Sequence, residues 1–301
     1  MMKPRFAFFG TPEFAVIILE ELAEKGFLPT VIVTSPDAPR GRKLILTSSE
    51  AKVWGETREI PVLTPKTLRD EAFKEIMEWY HSDLFIVAAY GKLIPKTILD
   101  IPAHGVLNVH PSLLPKFRGP SPIESVILSD ETPAHACTHS GGHTGVTIMQ
   151  LDPEMDHGPI VAQRERIVTD WPPRGSMLTR DLAHFGGALL AKTIPEWMNE
   201  PRAHEQDHAQ ATFTAKIKKE DGLIDLTEDP LKNYKKIRAF DEWPGAFFTT
   251  VRNGKNIRVR INDATIENGV LTITRVTPEG KKEMSYEDFR RGDQQKISRI
   301  H

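Results

Sequence analysis

Over the first two thirds of the chain, short runs dense in Val, Ile and Phe alternate with longer stretches in which apolar residues return every three or four positions. The short runs predict strands near Arg5–Phe9, Thr30–Thr34, Asp83–Ala88, Val106–Val109, Thr144–Leu151 and Ile160–Val168, since strands covered on both faces need no polar alternation. Between the first two, Phe14, Ile17, Ile18 and Leu22 mark one face of a helix whose first turn tolerates Pro12. Strands separated by helix-length amphipathic segments predict an α/β fold with a Rossmann-like, doubly wound, mostly parallel sheet. A last helix is expected over Met177–Met198, followed by a polar, proline-bearing stretch with little to bury. The expected division is therefore a domain over 1–198, a linker at 199–207 and a second domain over 208–301.

In the second domain the period changes to two. Asn256-Ile257-Arg258-Val259-Arg260-Ile261-Asn262 alternates strictly, so one face is buried and the other turns Arg258 and Arg260 toward solvent. Asn253-Gly254 and Asn268-Gly269 each sit between strand-like runs, the signature of two-residue hairpins whose central positions need positive φ. A small antiparallel β-barrel is expected. No internal repeat or low-complexity segment interrupts the pattern.

Composition narrows the class. At 301 residues with 39% hydrophobic residues and 20 glycines, the chain is ordinary for soluble domains, which excludes disordered and collagen-like classes. No apolar run reaches the ~18 residues of a membrane span, and Met1-Met2-Lys3-Pro4-Arg5 leads straight into strand-like residues without a signal-peptide core. A cytoplasmic, monomeric protein is expected. The single cysteine, Cys137, allows no internal disulfide. With a net charge of −2, any contact with nucleic acid has to come from a local patch.

Candidate chemistry gathers at Gly105-Val106-Leu107-Asn108-Val109-His110-Pro111-Ser112-Leu113-Leu114-Pro115. Asn108 and His110 stand two apart on a strand, so both side chains leave the same face, at the carboxyl end where open α/β sheets bind ligands. A carboxamide can stabilise a developing oxyanion, and an imidazole can move a proton near neutral pH. The same spacing also suits a polar pair that merely closes a strand.

With these residues in place, the sequence resembles the formyltransferase family that uses 10-formyltetrahydrofolate, and within it the branch acting on tRNA. The resemblance rests on Phe8–Phe14, Asn108–Gly119, Thr144–Gln150 and Met155–Gly158, with Thr212–Ile217 and Trp243–Phe247 further on. It implies that Asn108 binds the formyl oxygen, that His110 assists proton transfer, and that Asp156 orients His110 or relays protons through water. The acceptor it implies is the α-amine of initiator methionyl-tRNA, attacking directly through a tetrahedral intermediate, as a step of translation initiation. It further implies a folate-binding loop at Ser112, Leu113, Leu114 and Pro115, and backbone contacts to the pterin from Ala88, Ala89 and Tyr90. It implies no metal. By the same resemblance, the long loop after the second strand brings Arg40, Arg42 and Lys43 to the acceptor end of the tRNA, and the second domain is similar to an oligonucleotide-binding (OB) fold.

Lys232, Lys235, Lys236 and Arg238, with Arg258 and Arg260, could form a second basic patch or an ordinary solvated face. Trp243-Pro244-Gly245-Ala246-Phe247 reads as core and turn. The chain departs from the family at residues 133–143, where an insertion carries His135, Cys137, His139 and His143; their spacing matches no standard zinc site. Two rival functions remain. An amino-sugar nucleotide formyltransferase would share the trio and the folate loop, but would not be expected to keep the Trp243–Phe247 block or the basic loop. A folate-sensing or RNA-binding protein without catalysis would not need Asn108, His110 and Asp156 together.

Overall fold

A computed structural model of the chain describes residues 3–40, 44–130, 142–252 and 254–297. Two compact units emerge, neither contiguous in sequence. The first combines the chain up to Pro122 with His143–Ile167 and Thr179–Thr214; the second combines Ile123–Gly142, Val168–Leu178 and the chain from Ala215.

The first unit is built on β1 (Phe6–Gly10), α1 (Glu13–Glu24), β2 (Val31–Val33), β3 (Ala38–Arg40), β4 (Ile45–Thr47), α2 (Glu50–Glu56), β5 (Val62–Leu63), α3 (Glu71–Trp79), β6 (Leu84–Ala88), α4 (Lys96–Leu99) and β7 (Val106–His110). There follow α5 (Pro122–Leu128), which beyond Pro122 belongs to the second unit, and β8 (Gly142–Gln150), β9 (Ile160–Val168) and α6 (Gly175–Asn199), which belong to the first except for Gly142, Val168 and the first turn of α6. Seven strands form one sheet in the order β5-β2-β1-β6-β7-β8-β9. Pairings from β5 to β7 are parallel, and β8 runs antiparallel to β7. Every residue of β1, β6 and β7 is buried, because helices cover both faces. On one face Phe9, Val33, Phe85, Val87 and Val106 pack with Phe73 and Met77 of α3 and Ile98 of α4. On the other, Gly186 of α6 lies so near the sheet that a Cβ there would meet Val109 Cγ1 at 2.8 Å. The strand order reverses between β1 and β6, which puts the ligand-binding edge at the carboxyl ends of β1, β6 and β7.

The second unit contains α7 (Pro230–Ala239), β10 (Phe247–Arg252), β11 (Lys255–Glu267), β12 (Val270–Pro278), β13 (Met284–Ser285) and α8 (Tyr286–Ile297). Its strands form an antiparallel sheet in sequence order, the smaller OB-like half of the fold. Val259 and Ile261 enter a core with Ile237, Ala246, Phe248, Val276 and Phe289, as the alternation requires. Asn268 and Gly269 adopt φ of 49° and 76° between β11 and β12, the geometry that their hairpin demands. Beside Asn262 the β11–β12 register slips by one residue, and such bulges sharpen a sheet's twist.

Two expectations need correction. Residues 199–207 are not a detached linker: His204 exchanges backbone hydrogen bonds of 2.8 and 2.9 Å with Ile160, and Gln206 is buried. Their polar groups find partners inside the first unit, which local composition cannot reveal. Trp243 is 59% exposed rather than core, because the turn at Pro244-Gly245 sends Ala246 and Phe248 inward instead. Among the described residues, no helix is long and apolar enough to cross a membrane.

Candidate active site

Strand β7 is gripped on both sides: Asn108 pairs with Val87 of β6 and with Met149 of β8. Its neighbours Leu107 and Val109 are fully or nearly fully buried, so the alternation of the strand forces Asn108 and His110 onto the other face together with Val106. Asn108 is only 9% exposed. Among the described residues, no protein group hydrogen-bonds its carboxamide, an arrangement that buried amides seldom tolerate without a ligand or solvent partner.

His110 is oriented from both ring nitrogens. Nε2 lies 3.0 Å from the Phe117 carbonyl oxygen. A carbonyl only accepts, so Nε2 carries the hydrogen and Nδ1 holds the lone pair of the neutral ring. Nδ1 faces Asp156 Oδ1 at 3.8 Å. That exceeds a direct hydrogen bond, and the carboxylate acts across it by its charge or through a bridging water. Asp156 Oδ2 accepts from Gly119 N at 2.6 Å. The three side chains that the sequence singled out thus converge at the carboxyl end of β7.

The loop after β7 is welded to its neighbours. Thr147 Oγ1 donates to the Ser112 carbonyl at 2.7 Å and accepts from Leu114 N at 3.2 Å. Gln163 Nε2 donates to the Leu114 carbonyl at 2.9 Å. Ser112 spends its hydroxyl on the Lys116 carbonyl, 2.7 Å away. Ser112 and Leu114 are consequently buried, while Leu113 and Pro115 stay partly open. At the end of β6, Ala88 is buried, Ala89 is exposed with φ of 47°, and the Tyr90 ring packs against Phe9 at 5.5 Å between centroids. The Tyr90 hydroxyl is buried without a partner among the described residues, and burial pushes its pKa up to about 12.

Arg40 ends the short β3–β4 hairpin; its side chain, Arg42 and Lys43 lie outside the described residues, as does the insertion from 133 to 141 with His135, Cys137 and His139. His143 is described, and its Nδ1 lies 2.5 Å from Glu165 Oε1. No group of three or more potential metal ligands occurs among the described residues. Of the second basic patch, several members are committed elsewhere. Lys235 is buried on the Ser129 carbonyl and Asp130, Arg238 donates to the Pro172 carbonyl, and the Arg258 guanidinium lies 3.6 Å from the centroid of the Phe247 ring. Lys232 and Arg260 remain exposed. Sequence reasoning missed the Phe117 carbonyl, the Gly119 amide, Arg118, Thr147 and Gln206, because a backbone group or a lone polar residue in a loop carries no local signal.

Comparison with known proteins decides the family. The formyl transferase profile matches residues 4–194, and the formyl transferase C-terminal domain profile matches 216–269. The methionyl-tRNA formyltransferase of Chloroflexus aggregans is 42% identical over 258 residues, covering 85% of this chain and 79% of that protein. That of Roseiflexus castenholzii is 38% identical, covering 97% and 96%. The chain belongs to the methionyl-tRNA formyltransferase family. Among solved structures, the N-formyltransferase from Helicobacter canadensis in complex with folinic acid and dTDP-3-aminofucose shares the fold, with a TM-score of 0.63, 18% identity and 89% coverage of both chains. Membership makes the chain a formyl-transferring enzyme.

Proposed function

We propose that this chain transfers a formyl group from 10-formyltetrahydrofolate to the α-amino group of methionine on initiator tRNA, with Asn108, His110 and Asp156 around the reacting carbon. One observation carries the reading: a buried carboxamide with no hydrogen-bond partner among the described residues shares a strand face with an imidazole whose Nδ1 faces a carboxylate 3.8 Å away. The names of the relatives supply the acceptor. The folinic acid in the Helicobacter complex supports a reduced folate as donor, and this chain's residues fit one. The exposed Ala89 and the partly open Leu113 and Pro115 offer a mostly apolar rim with a few polar contacts.

The donor supplies the formyl carbon, bonded to a nitrogen that departs as an amine once protonated. Asn108 donates its N–H to the formyl oxygen as that oxygen gathers negative charge, an interaction strongest where the charge is greatest. His110 accepts the proton of the attacking amine at Nδ1 and returns it to the departing nitrogen, so one C–N bond forms, one breaks and no proton is lost. While the ring is charged, Asp156 stabilises it, as the acid of a catalytic triad does. No nucleophilic serine or cysteine is needed. We place the tRNA acceptor end near Arg40, Arg42 and Lys43, with further contacts from the second domain.

The decisive experiment offers the protein 10-formyltetrahydrofolate with charged initiator tRNA and, separately, with amino-sugar nucleotides, and weighs the products. Formylmethionine on the tRNA is the expected result. A formylated sugar with unreacted tRNA would overturn the reading.

A further inference from the structure

Between the two matched profiles, which end at 194 and resume at 216, the chain runs back across the site as a strap. Gln206 is its buried anchor, only 4% exposed. Its Oε1 accepts from Arg118 Nε at 3.1 Å and from Arg118 Nη2 at 2.6 Å. Its Nε2 donates to the carbonyls of Asp156 at 3.0 Å and Gly158 at 2.7 Å. Only a primary amide can accept twice and donate twice in this way. Further along, Thr212 Oγ1 accepts from Phe117 N at 2.9 Å, Arg118 N donates to the Thr212 carbonyl at 2.9 Å, and Thr214 N donates to the Arg118 carbonyl at 2.7 Å.

The strap therefore grips the segment that touches the reacting side chains: the Phe117 carbonyl on His110 and the Gly119 amide on Asp156. Phe117 and Asp156 both have left-handed backbones, with φ of 60° and 51°. L residues hold that conformation only where the surroundings over-determine it; at Asp156 the backbone carbonyl is held by Gln206 and the carboxylate by the Gly119 amide.

We propose that Gln206 is a positioning residue for formyl transfer: bridging Arg118 to the Asp156–Gly158 turn, it sets the separation of the Asp156 carboxylate from the His110 ring. The inference rests on the roles given to Asp156 and His110 above. A misplacement of the carboxylate by about 1 Å would be felt in the chemical step, where such shifts cost up to roughly 100-fold.

The test compares wild type, Asp156→Asn, Gln206→Ala, Gln206→Glu and the double variant Asp156→Asn/Gln206→Glu in kcat, both KM values, the pH profile of kcat/KM and the thermal midpoint. A carboxylate in place of the amide would still accept from Arg118 but could not donate to the two carbonyls, so Gln206→Glu probes positioning even where Gln206→Ala fails to fold. Expected for Gln206→Glu is a kcat lower by roughly 10- to 100-fold with KM values within about threefold, and a displaced limb of the pH profile. In the Asp156→Asn background the same change adds less than about twofold, because the carboxylate charge whose separation Gln206 sets is gone. Near-normal kcat for Gln206→Glu, or an undiminished further loss in the Asp156→Asn background, overturns the inference. Normal transfer by Asp156→Asn alone would instead overturn the role of Asp156, and so separates the two failures.

Discussion

At the scale of single residues, what distinguishes the site is polarity left open where burial normally forbids it. Asn108 and His110 lie within a strand whose every residue is buried, yet one presents an amide with no acceptor among the described residues and the other turns Nδ1 toward an acid. Asn108→Ala or His110→Ala is expected to lower kcat by roughly 10²–10³ with the fold intact, as loss of an oxyanion donor or a general base does. Stopped-time assays with circular dichroism as the folding control check this. Tyr90 behaves differently. Its hydroxyl is buried without a partner among the described residues, so Tyr90→Phe is expected to be neutral or to stabilise by up to about 1 kcal/mol, and to leave the folate KM unchanged if only backbone at this position meets the pterin. Its pKa is raised from 10.0 to about 12. The folded state therefore keeps its proton where the unfolded chain loses one, and stability from this group is present below pH 10.0 and declines toward 12. Urea midpoints across that range should fall more for the parent than for Tyr90→Phe.

At the scale of elements, the site depends on how β7, β8 and the loop between β7 and α5 are fastened. Strand β8 approaches that loop so closely that a Cβ on Gly145 would sit 2.5 Å from Leu113 Cδ2 and 2.4 Å from the Arg164 carbonyl oxygen. Gly145→Ala is accordingly expected to destabilise by about 1–3 kcal/mol through overpacking. It should also raise the folate KM by displacing Leu113, as denaturation curves and initial rates would show. The strands and helices themselves were legible. Helix α6 was expected over Met177–Met198 and spans Gly175–Asn199, and the six predicted strands of the first unit are all present, because apolar periodicity is a local property that survives folding. Of the strap, Thr212–Thr214 lies in a block that carries the family resemblance, but Gln206 was not legible: it resembles any residue of a solvated loop until a buried Arg118 and a left-handed turn are laid against it.

At the scale of the whole molecule, a net charge of −2 means that the tRNA is drawn by local basic groups and not by a global field. Arg42→Ala is expected to raise the KM for tRNA and to reduce the salt dependence of binding by about one phosphate contact. Titrations against salt measure both, and an unchanged slope would remove the loop from the interface. With Lys235, Arg238 and Arg258 engaged inside the second unit, substitutions there should affect stability before they affect tRNA affinity.

Sequence alone determined the doubly wound half, the antiparallel half with its Asn-Gly turn, and the face shared by Asn108 and His110, since each follows from residue period or from a turn that demands positive φ. Only the tertiary structure decided that Asp156 meets His110, that the Phe117 carbonyl selects the ring's hydrogen, and that residues 199–207 belong to the first unit. Those outcomes depend on how the loop after β7 folds back on its own strand and on contacts between segments more than forty residues apart, where a backbone carbonyl or a lone glutamine acquires its role from what is folded against it.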